Sequence, residues 1–488
     1  MLALRPLSPT ILFYSFCSSV IALFCVGQVM HIPILAALPF GLLVVLWGIV
    51  NYKSLFYLLL FTLPLSVEYY FSSSLATDLP TEPLMIGLMG ITLLLLFSKS
   101  EKFPLHAFKF KPLLWLLFHL LWILICAINS ENFVYSVKVF LSKTWYFLPF
   151  SILPFYIIKT AADIRKIFWA IFVPLTLAII VTMLRHGIIY HFAFEDINRS
   201  VGPYFRNHVN YAAMVSIFFP WLWMGRKWYP KNSFKYKLVS ASILLYIVAI
   251  YFSYTRTCML ALLAMIPFYF VLRWNVLKPL LIGAVVVIII GVTFLVKDNY
   301  YMRFAPDFDR TIYHDDFGSH ITSTFEGEDV SSMERIYRWV AAVQMVSDRP
   351  WMGVGSGNFY DYYKKYALSA FETYISENEE RSTVHNYFLL ILVEQGAIGL
   401  FIFSILTILV FWEGNKLYQR VSKEQKWIVM ILMQCMLSLY VNLLLSDMLE
   451  SDKVGPFYYL TVSLLAMISI RWLVFEKSSP SFKADSHQ

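Results

Sequence analysis

Charge is scarce in this sequence. Asp, Glu, Lys and Arg make up 14% of its 488 residues, against 59% hydrophobic, where a soluble domain carries about a quarter charged residues. That shortage excludes a water-facing fold for the chain as a whole and leaves the bilayer as the main solvent. Cysteine is scarce too. The five that occur, Cys17, Cys25, Cys126, Cys258 and Cys435, all fall inside apolar runs. Neither a disulfide framework nor a CxxC metal site is available from them, and they read as small packing residues. No low-complexity tract or internal repeat stands out. No small-x-small cleavage site follows the first apolar run before the second begins, so that run is expected to remain as an anchor and not to be removed as a signal peptide.

What is present is a succession of apolar runs, at a mean hydropathy of +0.64. Each is long enough at about 1.5 Å per residue to cross about 30 Å of hydrocarbon as a helix. About fourteen are expected: 11–28, 32–50, 54–71, 83–98, 112–128, 139–158, 165–184, 208–224, 238–254, 257–273, 278–296, 386–412, 427–446 and 455–474. The expected fold is an all-α polytopic membrane protein of about 12–14 transmembrane helices with one large extracytoplasmic loop that itself contains amphipathic helices.

Lys and Arg accumulate in cytoplasmic connections because their translocation is disfavoured. Here they alternate cleanly. One set of connections holds Lys99, Lys102, Lys109 and Lys111; Lys159, Arg165 and Lys166; Arg226, Lys227, Lys231, Lys235 and Lys237; and Lys416, Arg420, Lys423 and Lys426. The opposite set, with Asp78 and Glu82, Asn129 to Tyr135, and Ser446 to Asp452, is acidic or nearly neutral. The first set is therefore read as cytoplasmic, which places both termini inside. The net charge of +8 is then a consequence of topology and calls for no nucleic-acid partner.

The pattern breaks once. Between Lys297 and Val384 the sequence turns polar and holds roughly half of the acidic residues, and the alternation places this loop outside. The chain accordingly divides into an N-terminal transmembrane bundle (1–296, about eleven spans), the large loop (297–384), and C-terminal transmembrane helices with a short cytoplasmic tail (385–488, about three spans). Within the loop, Ser331-Ser-Met-Glu334 has the form of a capping box ahead of Ile336, Val340, Val343 and Met345 at helical spacing, ending at Pro350. After Gly353, Gly355 and Gly357 a second amphipathic stretch is expected over 359–371.

Several residues at the expected outer face carry potential chemistry, each with a plainer reading. Arg199, Arg206 and Arg256 contradict the positive-inside expectation in short connections. An anionic ligand explains them, since the guanidinium fork matches phosphate oxygens at any working pH; snorkelling or pairing with Glu195 and Asp196 explains them equally. His385-Asn386 precedes the twelfth span, where an imidazole can accept a proton from a hydroxyl or the pair can simply cap the helix. Glu394 lies about 13 Å deeper at helical rise, where a carboxylate is costly, or serves packing beside Gly396 and Gly399. Arg335 and Arg338, with Trp339, form either a solvated helix face or contacts to an acceptor. The Gly353-x-Gly355-x-Gly357 run is no nucleotide loop, because it follows no strand of a βαβ unit. A transporter would show paired ionisable groups near the midplane in two related halves, and no such halves are visible.

Taken together these segments resemble the O-antigen ligase and O-antigen polymerase family of bacterial surface-glycan enzymes. The resemblance rests on Arg199-Ser-Val-Gly202 with Asn207 and Asn210; Ser253-Tyr-Thr-Arg256; Arg335-x-x-Arg338-Trp339; Pro350; Gly353-x-Gly355-x-Gly357-Asn358-Phe359; and His385-Asn386-Tyr387 with Glu394-x-Gly396-x-x-Gly399. It covers mainly residues 199–260 and 335–400, and the first seven or so spans carry no motif. Ligases of the family usually have about twelve spans, fewer than expected here.

The resemblance implies a multi-pass protein of the bacterial inner membrane with a periplasmic loop. It implies glycan transfer from an undecaprenyl-pyrophosphate-linked donor to an acceptor hydroxyl, without cofactor, nucleotide sugar or metal. The acceptor would be the lipid A core oligosaccharide for a ligase, or another lipid-linked repeat unit for a polymerase, and the arrangement leans towards the ligase. In that reading Arg199 and Arg256 hold the pyrophosphate, Arg206 assists, and His385 is the base or positions the acceptor. Asn386, Arg335 and Arg338 contact acceptor or loop, and Glu394 supports the helix. With no nucleophile paired to its own base in view, a single inverting displacement is expected.

Overall fold

A computed structural model describes residues 8–31, 35, 38–72, 75–98, 102–297, 330–368 and 383–473. The fold is all-α and polytopic. Each of the fourteen apolar runs overlaps a helix: α1 (Pro9–Val29), α2 (Leu38–Val50), α3 (Tyr52–Thr62), α4 (Thr81–Phe97), α5 (Lys111–Ile128), α6 (Phe133–Phe147), α7 (Ala161–Ile188), α8 (His208–Gly225), α9 (Phe234–Tyr251), α10 (Arg256–Arg273), α11 (Leu277–Val296), α13 (Tyr387–Arg420), α14 (Lys423–Leu443) and α15 (Gly455–Ser469). The loop adds α12 (Val330–Asp348). Among the described residues, six of these helices are at least 18 residues long and apolar enough to cross a membrane: α5, α7, α9, α10, α13 and α14.

Side-chain caps fix where many of them begin. Asn51, Asn132, Asn207, Ser233 and Asn386 each accept a hydrogen bond from the backbone N–H three residues on, satisfying donors that the first helical turn leaves free. Thr160 with Asp163 and Ser422 with Gln425 form reciprocal capping boxes at α7 and α14. α14 is the central helix, with 78% of its apolar window buried against 28% for α10; it packs on α8, α10, α13 and α15. α11 is its opposite. Val287, Ile288, Ile289 and Ile290 are all more than half exposed, as expected of side chains whose solvent is lipid.

Three expectations need correction. The run 54–71 does not stay helical. Its end forms strand β1 (Val67–Ser72), antiparallel to β2 (Leu75–Leu79) with Glu68 opposite Asp78, where β-branched and aromatic residues leave the apolar stretch. Ser331 is no cap, since the helix is already running at Val330, and Glu334 pairs instead with Arg338. The second amphipathic stretch is not a full helix. One turn (Phe359–Tyr362) passes into a 3-10 turn (Tyr363–Tyr366), held by Phe359 stacked on Tyr363 at 5.0 Å. Residues 369–371 of that stretch, and the acidic part of the loop over 298–329, lie outside the described residues.

The glycine motifs have a common explanation. α13 is broken at Gly396, whose φ of +70° and ψ of −174° belong to no helix. The loop after α12 enters the break. Val354 N–H donates to Val393 O (3.0 Å), Gly355 N–H to Glu394 O (2.9 Å), and Ala397 N–H to Pro350 O (2.7 Å). Gly353, Gly355 and Gly357 all have positive φ. A Cβ at Gly353 would overlap the backbone of Val393 and Glu394, one at Gly355 would overlap Ser130, and one at Gly396 the backbone of Trp351. The other side of the loop is pinned to the α5–α6 turn by Glu131 N–H to Val354 O (3.0 Å) and Ser136 Oγ to Ser356 O (2.7 Å). Replacing Gly396 by Ala is expected to destabilise the protein by more than about 3 kcal/mol, through strain and overlap together. A fall in melting temperature in detergent, with a smaller fall for Gly90→Ala, where a Cβ meets nothing, checks it.

Candidate functional site at the loop end of the bundle

The two ends of the bundle differ in charge. At one end the basic connections meet: Lys227 stands 3.6 Å from the centre of the Trp427 ring, Lys159 stands 4.5 Å from that of Trp472, and Gln419 donates to Leu272 O (2.7 Å). The long loop, the β-hairpin and the connections holding the candidate residues lie at the other.

His385 sits in the short segment between the loop and α13, with φ at +54°. This is a left-handed conformation that non-glycine residues adopt rarely and that gathers at functional sites. Tyr254, two residues before Arg256, has the same φ of 54°. α12 lies against the His385 segment. Trp339 Nε1 donates to Val384 O (2.9 Å), and Arg338, itself 5% exposed, reaches Thr383 O (3.5 Å) and pairs with Glu334 (3.3 Å). Burial lowers the His385 pKa from 6.5 to about 3, helped by the charges of Arg338 and then Arg335. The imidazole is therefore neutral throughout the working range, and a weak base beside those two guanidiniums.

The C-terminal turn of α14 joins the segments that carry His385 and Arg256. Asn386, which caps α13, also donates to Leu444 O (3.0 Å). On the other side, the Cys258 thiol, two residues past Arg256 at the start of α10, donates to Asn442 Oδ1 (3.2 Å). Arg256 is half-buried. Arg199 is placed differently: its side chain is 75% exposed and pairs with Asp196 at 2.9 Å. The main chain around it is tied down by Arg185 at the end of α7, which donates to Arg199 O (3.2 Å) and to Gly202 O. Arg206 is exposed, and its charge bears on Tyr70 of β1. Glu394 points into the glycine loop, where its Oε1 accepts from Phe359 N–H (3.2 Å).

A second group of ionisable residues went unnoticed in the sequence. Lys143 of α6, 2% exposed, pairs with Glu450 (2.8 Å) and donates to Leu449 O (2.7 Å). Tyr146 donates to Asp452 (2.5 Å), and Lys453 donates to both O and Oγ of Ser66 (2.7 Å each). Burial pushes the Asp452 carboxyl up to about 7 and draws the Lys453 ammonium down to about 8. This α14–α15 connection reaches the candidate site through Thr383 Oγ1, which donates to Asp447 (2.7 Å). Lys143 inside an apolar run was the available signal, since a charge within a membrane helix marks function or a specific partner. Among the described residues no group of three or more His, Cys, Asp or Glu side chains is arranged to hold a metal ion.

Residues 241–404 match the O-antigen ligase family. Over that segment the chain is similar to the O-antigen ligase family. The matched segment runs from within α9 into α13 and includes Arg256, Arg335, Arg338, His385, Asn386 and Glu394; Arg199 and Arg206 precede it. No curated protein matches the chain.

Two outcomes are expected from this geometry. Lys143→Met, which removes the buried ammonium that Glu450 and Leu449 O share, should cost on the order of 3 kcal/mol, and adding Glu450→Gln should recover part of it; thermal melts of the single and double variants check this. Arg338→Gln should raise the His385 pKa back towards 6.5, read from the imidazole proton shifts in a pH titration. The sign for stability follows. Between pH 6.5 and 3 the unfolded chain binds a proton at His385 that the folded chain refuses, so this residue costs stability as pH falls through that window, and less so in the variant.

Proposed function

We propose that this protein transfers a glycan from an undecaprenyl-pyrophosphate carrier to a hydroxyl of the lipid A core oligosaccharide, at the outer face of the bacterial inner membrane. The observation that carries the reading is the packing of the Arg338 helix against the His385 segment at one end of the bundle, with the segments of His385 and Arg256 bonded through Asn386 and Cys258 to the same turn of α14, all inside the family segment. The basic end is taken as cytoplasmic.

In the proposed reaction the acceptor oxygen attacks the anomeric carbon and forms the new glycosidic bond. The bond from that carbon to the pyrophosphate oxygen breaks, and the electron pair leaves with the pyrophosphate. Fixed guanidiniums stabilise the charge that develops on the leaving group, with Arg256 as the main contact and Arg199 and Arg206 reaching in from the α7–α8 connection. Arg199 gives up its exposed pair with Asp196 at little cost, since such surface pairs contribute about 0–1 kcal/mol. The acceptor proton goes to His385. A bound pyrophosphate opposes the positive field of Arg335 and Arg338 and raises the basicity of the imidazole, so the base strengthens once the donor is in place. Inversion at the anomeric carbon follows from a single displacement. Glu394 serves the scaffold, and Asn386 orients the His385 segment.

Arg256→Ala and His385→Ala are each expected to reduce glycan transfer at least a hundredfold while the protein still inserts. Purified protein, lipid-linked glycan and core acceptor, with neither metal nor nucleotide added, form the assay. Full transfer by both variants would remove the site assignment. Resolving the surface glycan of a deletion strain tests the acceptor: loss of all lipid A-attached glycan fits ligation, whereas a single retained repeat unit identifies the polymerase reaction.

A further inference from the structure

At the basic end, far from the residues discussed above, a cavity of about 490 Å³ opens between α3, α7 and the start of α9. Its wall combines three cations, Arg165, Lys166 and Lys235, with the aromatic rings of Tyr57, Trp169 and Tyr229. The aromatic side is rigid. Trp169 Nε1 donates to Tyr229 Oη (2.7 Å), and Lys235 Nζ stands 5.9 and 5.7 Å from the two ring centres. The cations are matched internally only in part. Lys166 pairs with Asp163 (2.9 Å), whose other oxygen caps α7 through Thr160, while the Arg165 guanidinium has no hydrogen-bond or ion-pair partner among the described residues. The Tyr57 hydroxyl is buried without a partner. A buried donor left unpaired is costly, and a phosphate oxygen would satisfy it.

The surroundings choose among phosphate-bearing ligands. Below the cavity, the face of α7 that carries Trp169 continues through Val173, Leu177, Ile180 and Leu184, which are 47%, 49%, 40% and 55% exposed. These positions follow one another at helical spacing. A cationic pocket that runs into an exposed apolar stripe suits a headgroup above and an acyl chain below, and basic pockets between membrane helices at the cytoplasmic side recognise anionic lipids. A soluble phosphate has no use for the stripe.

We propose that this cavity is a binding site for the phosphate headgroup of an anionic phospholipid, with one acyl chain laid along α7. The site is independent of the transfer reaction and anchors the basic end of α7, whose other end holds the Arg199 segment through Arg185. The protein in neutral detergent, titrated with phosphatidylglycerol or phosphatidylcholine and weighed intact with its retained lipid, provides the test. Phosphatidylglycerol should be retained in preference to phosphatidylcholine. Arg165→Gln with Lys235→Gln should weaken that retention roughly tenfold; Arg165→Lys should hold within about twofold, and Lys237→Gln should change nothing. Equal retention of the two lipids, or unchanged retention by the double variant, overturns the proposal. So does displacement of phosphatidylglycerol by millimolar inorganic phosphate, which would make the site one for phosphate alone.

Discussion

A membrane helix that breaks must find partners for the backbone groups it releases, because the bilayer interior supplies none. α13 breaks at Gly396, and everything at the loop end is arranged around the repair. The carbonyls of Val393 and Glu394 and the N–H of Ala397 are taken up by the chain from Pro350 to Gly355. Those exchanges draw the loop down against the α5–α6 turn and fix α12 above the start of α13. His385 lies in the segment between that loop and α13.

Charge is handled by the same economy of partners. Lys143 and Lys453 are nearly inaccessible, yet each finds a carbonyl, a hydroxyl or a carboxylate from a segment remote in sequence. They hold the α14–α15 connection to α6 and to the end of α3, and through Asp447 and Thr383 that connection supports the histidine segment. Arg338 is buried and committed to Glu334, whereas Arg199 stays exposed. The cations at this end thus divide into some that hold the scaffold and some still able to meet a ligand, a distinction their spacing in the chain does not express.

Sequence patterning revealed the helices readily because a span announces itself by length and hydropathy alone. Asn207, Ser233 and Asn386 mark starts for an equally local reason, since a cap bonds a donor three residues away. The strand at Val67–Ser72 was hidden inside an apolar run, where composition cannot separate the end of a span from a half-buried hairpin. The two short turns after Asn358 were hidden for a related reason: their aromatic side chains are placed by stacking on one another and on α12, which no helical spacing encodes.

The sequence by itself determined that the chain is polytopic and all-α, where its helices fall, how charge is distributed between its two ends, and which residues resemble the family motifs. These are properties of single segments in contact with solvent or lipid. Only the tertiary structure decided that the glycine motifs of the loop and of α13 are two halves of one clasp, that Glu394 serves that clasp, and that Lys143 reaches Glu450. Those depend on backbone and charged groups finding partners up to about three hundred positions away, and a hydrogen bond leaves no periodic trace in the order of residues that would reveal which distant group completes it.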